Sequence, residues 1–165
     1  MEKVFKVLIF TDLDGSLLHR DTFKFDEIKD YLIKLISKDI FIIPTTSKTE
    51  KEILEFNSEL GSNLPYISEN GAAINGLNLL NPDLPKELIL SREKDDIFNI
   101  FKNIVPLRLQ NKCKWLSEMN NTNQSLIFGL YDKNLKMALD RRYTIPFIFN
   151  GTKNEKNQLS KIIKK

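Results

Sequence analysis

Two apolar runs that each end in a polar cluster, with an amphipathic stretch between them, set the expected frame of the first part of the chain. Val4 to Phe10 is apolar apart from Lys6 and stops at Thr11-Asp12-Leu13-Asp14-Gly15-Ser16. Its length and composition predict a buried parallel strand. Ile40 to Thr49 predicts a second strand that ends in hydroxyls and a lysine. Between them, from Asp26 to Lys38, Ile28, Tyr31, Leu32, Leu35 and Ile36 fall at helical spacing, with Asp26 as N-cap. Strand, helix and strand predict a right-handed βαβ unit, which brings both strand ends to one sheet edge. A second helix over about 49–60 and a third strand over Tyr66–Ser68 follow. Ala72 to Leu80 predicts a hairpin that turns at Asn75-Gly76.

Two prolines within Asn81-Pro82-Asp83-Leu84-Pro85 interrupt regular structure and predict a boundary, with one domain over 1–81 and another over 82–165. Beyond it the pattern gives a strand over 87–91, helices over 95–105 and 134–142, and a strand over 144–150. A basic helix over 155–164 closes the chain. The alternation predicts a second α/β unit.

Asp12 and Asp14 fall at the carboxyl end of the first strand, where open α/β sheets place their ligands. An aspartate oxygen there can be a nucleophile, a Mg²⁺ ligand or both. Asp14 suits a proton donor and acceptor, and Gly15 allows the sharp turn. A polar turn is the plain alternative, since Asp and Gly are common turn residues. Thr45 or Thr46 can donate to a phosphate near Asp12, and Lys48 adds positive charge. The amides opening the second helix favour an anion at the same place. An ordinary helix-capping loop is the plain alternative there. Asn70-Gly71, just after the third strand, is expected at the site, whereas Asn75-Gly76 reads as a turn.

Asp12-Leu13-Asp14-Gly15-Ser16 resembles the DxDG[TS] motif of haloacid dehalogenase-like phosphatases. Thr46-Ser47-Lys48-Thr49 together with Glu69-Asn70-Gly71 narrows the resemblance to the mannosyl-3-phosphoglycerate phosphatase family. Trp115 to Met119, Gly129-Leu130 and Ala138 to Phe147 resemble that family's cap segment. Arg141 and Pro146 match there, while Arg142 and Ile145 stand where acidic residues are usual. The resemblance implies a partial Rossmann-like three-layer α/β core with an inserted α/β cap. It also implies an aspartyl-phosphate mechanism. Asp12 would be nucleophile and Mg²⁺ ligand. Asp14 would be acid and base, binding the metal through its main-chain carbonyl. Thr46, or Thr45, would hold a phosphate oxygen. Ser47, Lys48, Glu69, Asn70, Gly71 and Arg141 would bind the rest of a phosphorylated sugar-glycerate. The family's later lysine and its Gly-Asp-Ser-x-x-Asp-like cluster have no counterpart. The chain therefore resembles a C-terminally truncated, inactive or impaired enzyme, whose uncovered first strand promotes self-association. Two other classes stay open: a catalytically dead sugar-phosphate or protein-binding module, and a fragment with no independent role.

The 165 residues include 41% hydrophobic and 28% charged side chains, ordinary for a globular chain. No apolar stretch has membrane-spanning length, and Met-Glu-Lys leads straight into a strand without a signal-peptide pattern. The lone Cys113 has no disulfide partner within the chain, so the cytoplasm is the expected compartment. The net charge of +3 resides in the tail, where Gly151 to Lys165 holds five lysines and one glutamate. No aromatic residues alternate with those lysines and arginine is absent, which argues for a solvated helix face rather than a nucleic-acid or membrane surface. His19 reads as a loop residue, and Asp95-Asp96 as a solvated helix start.

Overall fold

In the computed structural model, which describes residues 7–164, the first apolar run forms β1 (Val7–Thr11). The expected part of that strand before Val7 lies outside the described residues. Helix α1 (Asp26–Ile36) crosses to β2 (Ile40–Pro44), which pairs parallel with β1 in the register Val7↔Ile40 to Thr11↔Pro44. Among the described residues β2 is the only strand paired with β1. The side chains of β1 are not buried: Val7, Leu8, Ile9 and Phe10 are each between 38% and 59% exposed, on both faces of the strand.

α1 begins one residue earlier than a capping Asp26 requires. Phe25 holds the N-cap position without a side-chain bond, because its ring is buried against Phe56, with centroids 4.9 Å apart. Asp26 is instead the first helical residue, where its charge complements the helix dipole. Tyr31, assigned by spacing to the buried face, is exposed. Leu32 is buried, and Ile28, Leu35 and Ile36 pack on the same core.

Helix α2 (Glu50–Leu60) is opened by a capping box. Thr49 accepts from the Glu52 main chain while the Glu52 carboxylate accepts from the Thr49 N–H. Ile53, Phe56 and Leu60 join Leu32, Ile42 and Leu13 in one apolar cluster, so α1 and α2 share a core with β2 and the loop that follows β1. Strand β3 (Tyr66–Ser68) continues from β2 through a parallel bridge between Thr45 and Ile67. The Tyr66 hydroxyl donates to Glu50, and burial with that neighbour raises the phenol well above its ordinary range.

The hairpin lies one Asn-Gly pair earlier than expected. β4 (Ala73–Asn75) pairs antiparallel with β3, so the chain reverses at Glu69-Asn70-Gly71, all three with positive φ. Asn75-Gly76 leads instead into a short helix, α3 (Leu77–Leu80), with Gly76 as its left-handed cap. A side chain at residue 76 would put its Cβ 2.9 Å from the Pro65 backbone. Strand β5 (Glu87–Ile89), expected in the second domain, returns to pair with β4. The compact units accordingly divide between Ser91 and Arg92, not at Asn81. The two prolines interrupt the connection between β4 and β5, inside the β3–β4–β5 sheet, rather than ending the first unit.

The second unit contains α4 (Lys94–Ile104), α5 (Leu107–Gln110), β6 (Cys113–Trp115), a 3₁₀ turn at Leu116–Glu118, α6 (Asn121–Phe128), α7 (Asp132–Leu139), β7 (Phe147–Phe149) and α8 (Lys153–Ile163). β6 and β7 pair antiparallel. Phe101, Val105, Leu109, Cys113 and Leu159 form its core, joined by Trp115, Phe147, Phe149 and Ile162. No helix among the described residues is long and apolar enough to cross a membrane.

Candidate active site

Three strand ends converge through main-chain bonds in the first unit. The Thr45 N–H donates to the Thr11 carbonyl at 2.8 Å, fixing the end of β2 beside the end of β1. The Thr46 N–H donates to Ile67, Asn70 N–H to Thr46, and Glu69 N–H to Lys48, which fix the end of β3 against the 45–48 loop. Asp12, Thr45, Thr46, Ser47, Lys48, Glu69, Asn70 and Gly71 are thereby gathered at one sheet edge.

Leu13 makes the aspartate pair point outward. Its side chain is fully buried in the apolar cluster, while Asp12 and Asp14 on either side are exposed. The Leu13 N–H donates to Asp12 Oδ1 at 2.7 Å, which fixes the carboxylate's orientation. Gly15, at φ +74°, turns the chain, and Leu18 N–H closes the loop on the Leu13 carbonyl at 2.8 Å.

The two threonines differ. Thr45 is exposed, but its hydroxyl donates to the Ile43 carbonyl. Thr46 is buried, and its hydroxyl accepts from the Lys48 N–H, an arrangement that leaves the hydroxyl proton directed elsewhere. Ser47 is exposed on the same loop. Glu69 is buried, and Asn70 is exposed at the hairpin turn.

Lys48 makes contacts that the motif did not reveal. Its ammonium lies 3.0 Å from Asp14 Oδ1, 3.3 Å from Glu52 Oε1 and 5.2 Å from the centre of the Phe23 ring. The Asp14 carboxylate is therefore ion-paired rather than free, and Lys48 is engaged on the protein's own acids. Glu52 and Phe23 were not anticipated. The i, i+4 spacing of Lys48 and Glu52 and the Thr49-x-x-Glu52 capping box were the available signals for the first.

The charge balance bears on a metal. Asp12, Asp14 and Glu52 outnumber Lys48, so an incoming phosphate meets a surplus of negative charge. The Asp12 carboxylate and the main-chain carbonyl of Asp14 are hard oxygen donors, the type that suits Mg²⁺. Among the described residues no group of three His, Cys, Asp or Glu is placed to hold a metal ion.

His19 serves its own loop, since its Nδ1 accepts from the Asp21 and Thr22 N–H groups. Asp95 and Asp96 lie in the first turn of α4. Cys113 is buried, its Sγ against the Leu109 carbonyl, and burial pushes the thiol up, away from the reactive thiolate. Arg141 belongs to the second unit, where its Nη1 donates to Thr144 Oγ1 at 2.9 Å.

Residues 9–165 match the haloacid dehalogenase-like hydrolase family. The chain belongs to that family. It is 30% identical over 157 residues to a glucosyl-3-phosphoglycerate/mannosyl-3-phosphoglycerate phosphatase of Persephonella marina, a match that spans 92% of this chain and 58% of that protein. A protein of the same description from Methanococcoides burtonii is 46% identical over 69 residues, 42% of this chain and 25% of its own length. The chain thus spans less than two thirds of either relative. Among solved structures, a haloacid dehalogenase-like hydrolase from Bacteroides thetaiotaomicron superposes with a TM-score of 0.57 at 13% identity, covering 95% of this chain and 62% of that one. A Thermotoga maritima protein gives 0.56 at 16% identity, covering 97% and 61%. Both share the fold of this chain.

Proposed function

We propose that the first unit carries the phosphoryl-transfer residues of a Mg²⁺-dependent phosphomonoesterase whose substrate is a phosphorylated sugar-glycerate, such as mannosyl-3-phosphoglycerate. The convergence of Asp12 and Asp14 with the Thr45–Lys48 loop at one sheet edge supports this reading most directly. Family membership and the names of the relatives support the substrate class.

Asp12 attacks phosphorus in line, so a bond forms from its carboxylate oxygen as the ester P–O bond breaks. Asp14, in its protonated form, gives that proton to the departing alkoxide and becomes the carboxylate that pairs with Lys48. It then takes a proton from the water that attacks phosphorus, releasing phosphate and restoring the Asp12 carboxylate. The Thr46 hydroxyl donates to a non-bridging phosphate oxygen, with Thr45 as the alternate. Lys48 holds the Asp14 carboxylate in place, and Ser47, Glu69, Asn70 and Gly71 border the same edge. When bound by Asp12 and the Asp14 carbonyl, Mg²⁺ supplies the positive charge that offsets the surplus of carboxylates facing the phosphate.

With so few protein ligands for the metal, turnover by the 165-residue chain falls far below the ordinary enzymatic range of ~1–10³ s⁻¹. A binding module without turnover is the second reading. It is favoured by the lack, among the described residues, of three His, Cys, Asp or Glu side chains grouped to hold a metal ion. The single, buried thiol of Cys113 supports a cytoplasmic location. The test is phosphate release from mannosyl- and glucosyl-3-phosphoglycerate with Mg²⁺. Slow release that a chelator stops reversibly and that Asp12→Asn abolishes supports the enzyme. Substrate binding with no release supports the module.

A further inference from the structure

A cavity of about 540 Å³ lies wholly within the first unit, between the turn that follows Asp14 and the start of α1. Gly15 and Ser16 line it, but Asp12, Asp14, Thr46 and Lys48 do not, so it is separate from the edge where those residues meet. Its floor is the outer surface of the apolar core. Leu18 and Phe25 are buried there, and Leu17 and Ile28 pack on the same cluster. Both walls are fixed. The His19 N–H donates to the Lys24 carbonyl and the Phe23 N–H to the His19 carbonyl, both at 2.8 Å, which closes the turn over 19–24. His19 Nδ1 accepts from the Asp21 and Thr22 N–H groups inside that turn. The α1 wall is anchored by Phe25, whose ring lies 4.9 Å from that of Phe56.

The walls carry opposite charges. Arg20 and Lys24 stand on the turn, and Asp26 and Glu27 on the first turn of α1, all four exposed and lining the cavity. Among the described residues no ion pair joins either cation to either acid. Opposite charges that border one cavity without meeting are complemented by a molecule that carries both. A bare anion is a poorer match, because the first ninety-one residues hold ten lysines and arginines against fifteen acids, a net −5. A cavity of that volume is about 10 Å across, the span of about three extended residues at ~3.3–3.6 Å each. The leucine, isoleucine and phenylalanine floor suits an apolar body.

We infer that this cavity binds a short peptide with free ends, its carboxylate on Arg20 and Lys24, its ammonium on Asp26 and Glu27, and an apolar side chain on Leu17, Phe25 and Ile28. None of these residues takes part in the proposed phosphoryl transfer, so the peptide site stands or falls apart from it.

The whole chain is titrated by calorimetry with the tripeptide alanyl-leucyl-alanine, its N-acetylated and C-amidated forms, free leucine and inorganic phosphate. Saturable binding of the free tripeptide is expected, with each blocked form about tenfold weaker. Leucine, too short to reach both walls, is weaker by about tenfold or more. Arg20→Ala weakens the free tripeptide about tenfold and leaves the C-amidated form unchanged, and Glu27→Gln weakens the free tripeptide alike and leaves the N-acetylated form unchanged. Asp12→Asn changes none of these affinities. Arg20 and Glu27 are exposed, so both variants keep the fold, verified by circular dichroism. No saturable binding of the tripeptide, equal binding of the blocked forms, or indifference to both variants overturns the inference. So does phosphate binding that Arg20→Ala removes while the tripeptide does not bind, which would make the cavity an anion site. Phosphate release that Asp12→Asn abolishes leaves the phosphatase reading standing in each of those cases.

Discussion

A fully buried leucine between two exposed aspartates does most to make the site. Burying Leu13 orients its neighbours outward, and truncation at such a position costs about 2–5 kcal/mol. The aspartates, the following glycine and the hydroxyl loop were legible because residue type and strand-end position alone indicate their chemistry. The partners of Lys48 were not, since Asp14 and Lys48 are brought together only by the pairing of β1 with β2, and Phe23 by the loop that follows Asp14. Lys48→Met removes a pair whose Asp14 end is 41% exposed, so the expected loss of stability is modest, about 1 kcal/mol. Its effect on phosphoryl transfer is larger, because Asp14 loses the contact that positions it. Urea unfolding and phosphate release measured on the same variant separate the two. A stability loss with unchanged release would make Lys48 purely structural.

At the scale of elements, helices with an apolar stripe were legible and those held by caps were not. α6 reads Asn-Thr-Asn-Gln-Ser-Leu-Ile-Phe, with no apolar period. It exists because Asn120 caps Asn123, Gly129 ends it in the left-handed region, and the buried Gln124 donates to the Leu116 carbonyl at 2.7 Å. The hairpin turn was misplaced for a related reason. Two Asn-Gly pairs carry the same local signal, and only the pairing of β3 with β4 selects the first. α8 offers a test of a cap. The Glu155 carboxyl accepts from the Thr152 N–H and hydroxyl and pairs with Lys112, and these hold it below its ordinary value of 4.5. A depressed folded-state value means the contribution is complete above pH 4.5 and is lost as pH falls through the lower folded value. Amide protection at the start of α8, relative to the intrinsic exchange rate at each pH, should therefore fall as the solution is acidified below 4.5, and Glu155→Gln should remove that dependence. An identical acid profile in the variant would assign the fraying to another group.

For the whole molecule, the uncovered side chains of β1 carry the largest consequence. Val7 to Phe10 expose four consecutive apolar side chains, and no described strand pairs with the outer edge of β1. An unpaired apolar edge is a template for association. Sedimentation of the 165-residue chain should show concentration-dependent association, and Phe10→Asp should reduce it. A monomer at all concentrations would mean that β1 is shielded. Composition alone reads β1 as buried, because a buried strand and an uncovered one share the same sequence; only the resemblance pointed to an uncovered first strand. The central claim, that Asp12 takes the phosphoryl group, is tested most directly by acid-quenching the chain after incubation with mannosyl-3-phosphoglycerate and Mg²⁺, then locating any phosphoryl group by peptide mass. The account predicts one phosphoryl group on the peptide carrying Asp12 and none in Asp12→Asn. A phosphoryl group on another residue, or phosphate release by Asp12→Asn at the rate of the unaltered chain, would contradict it.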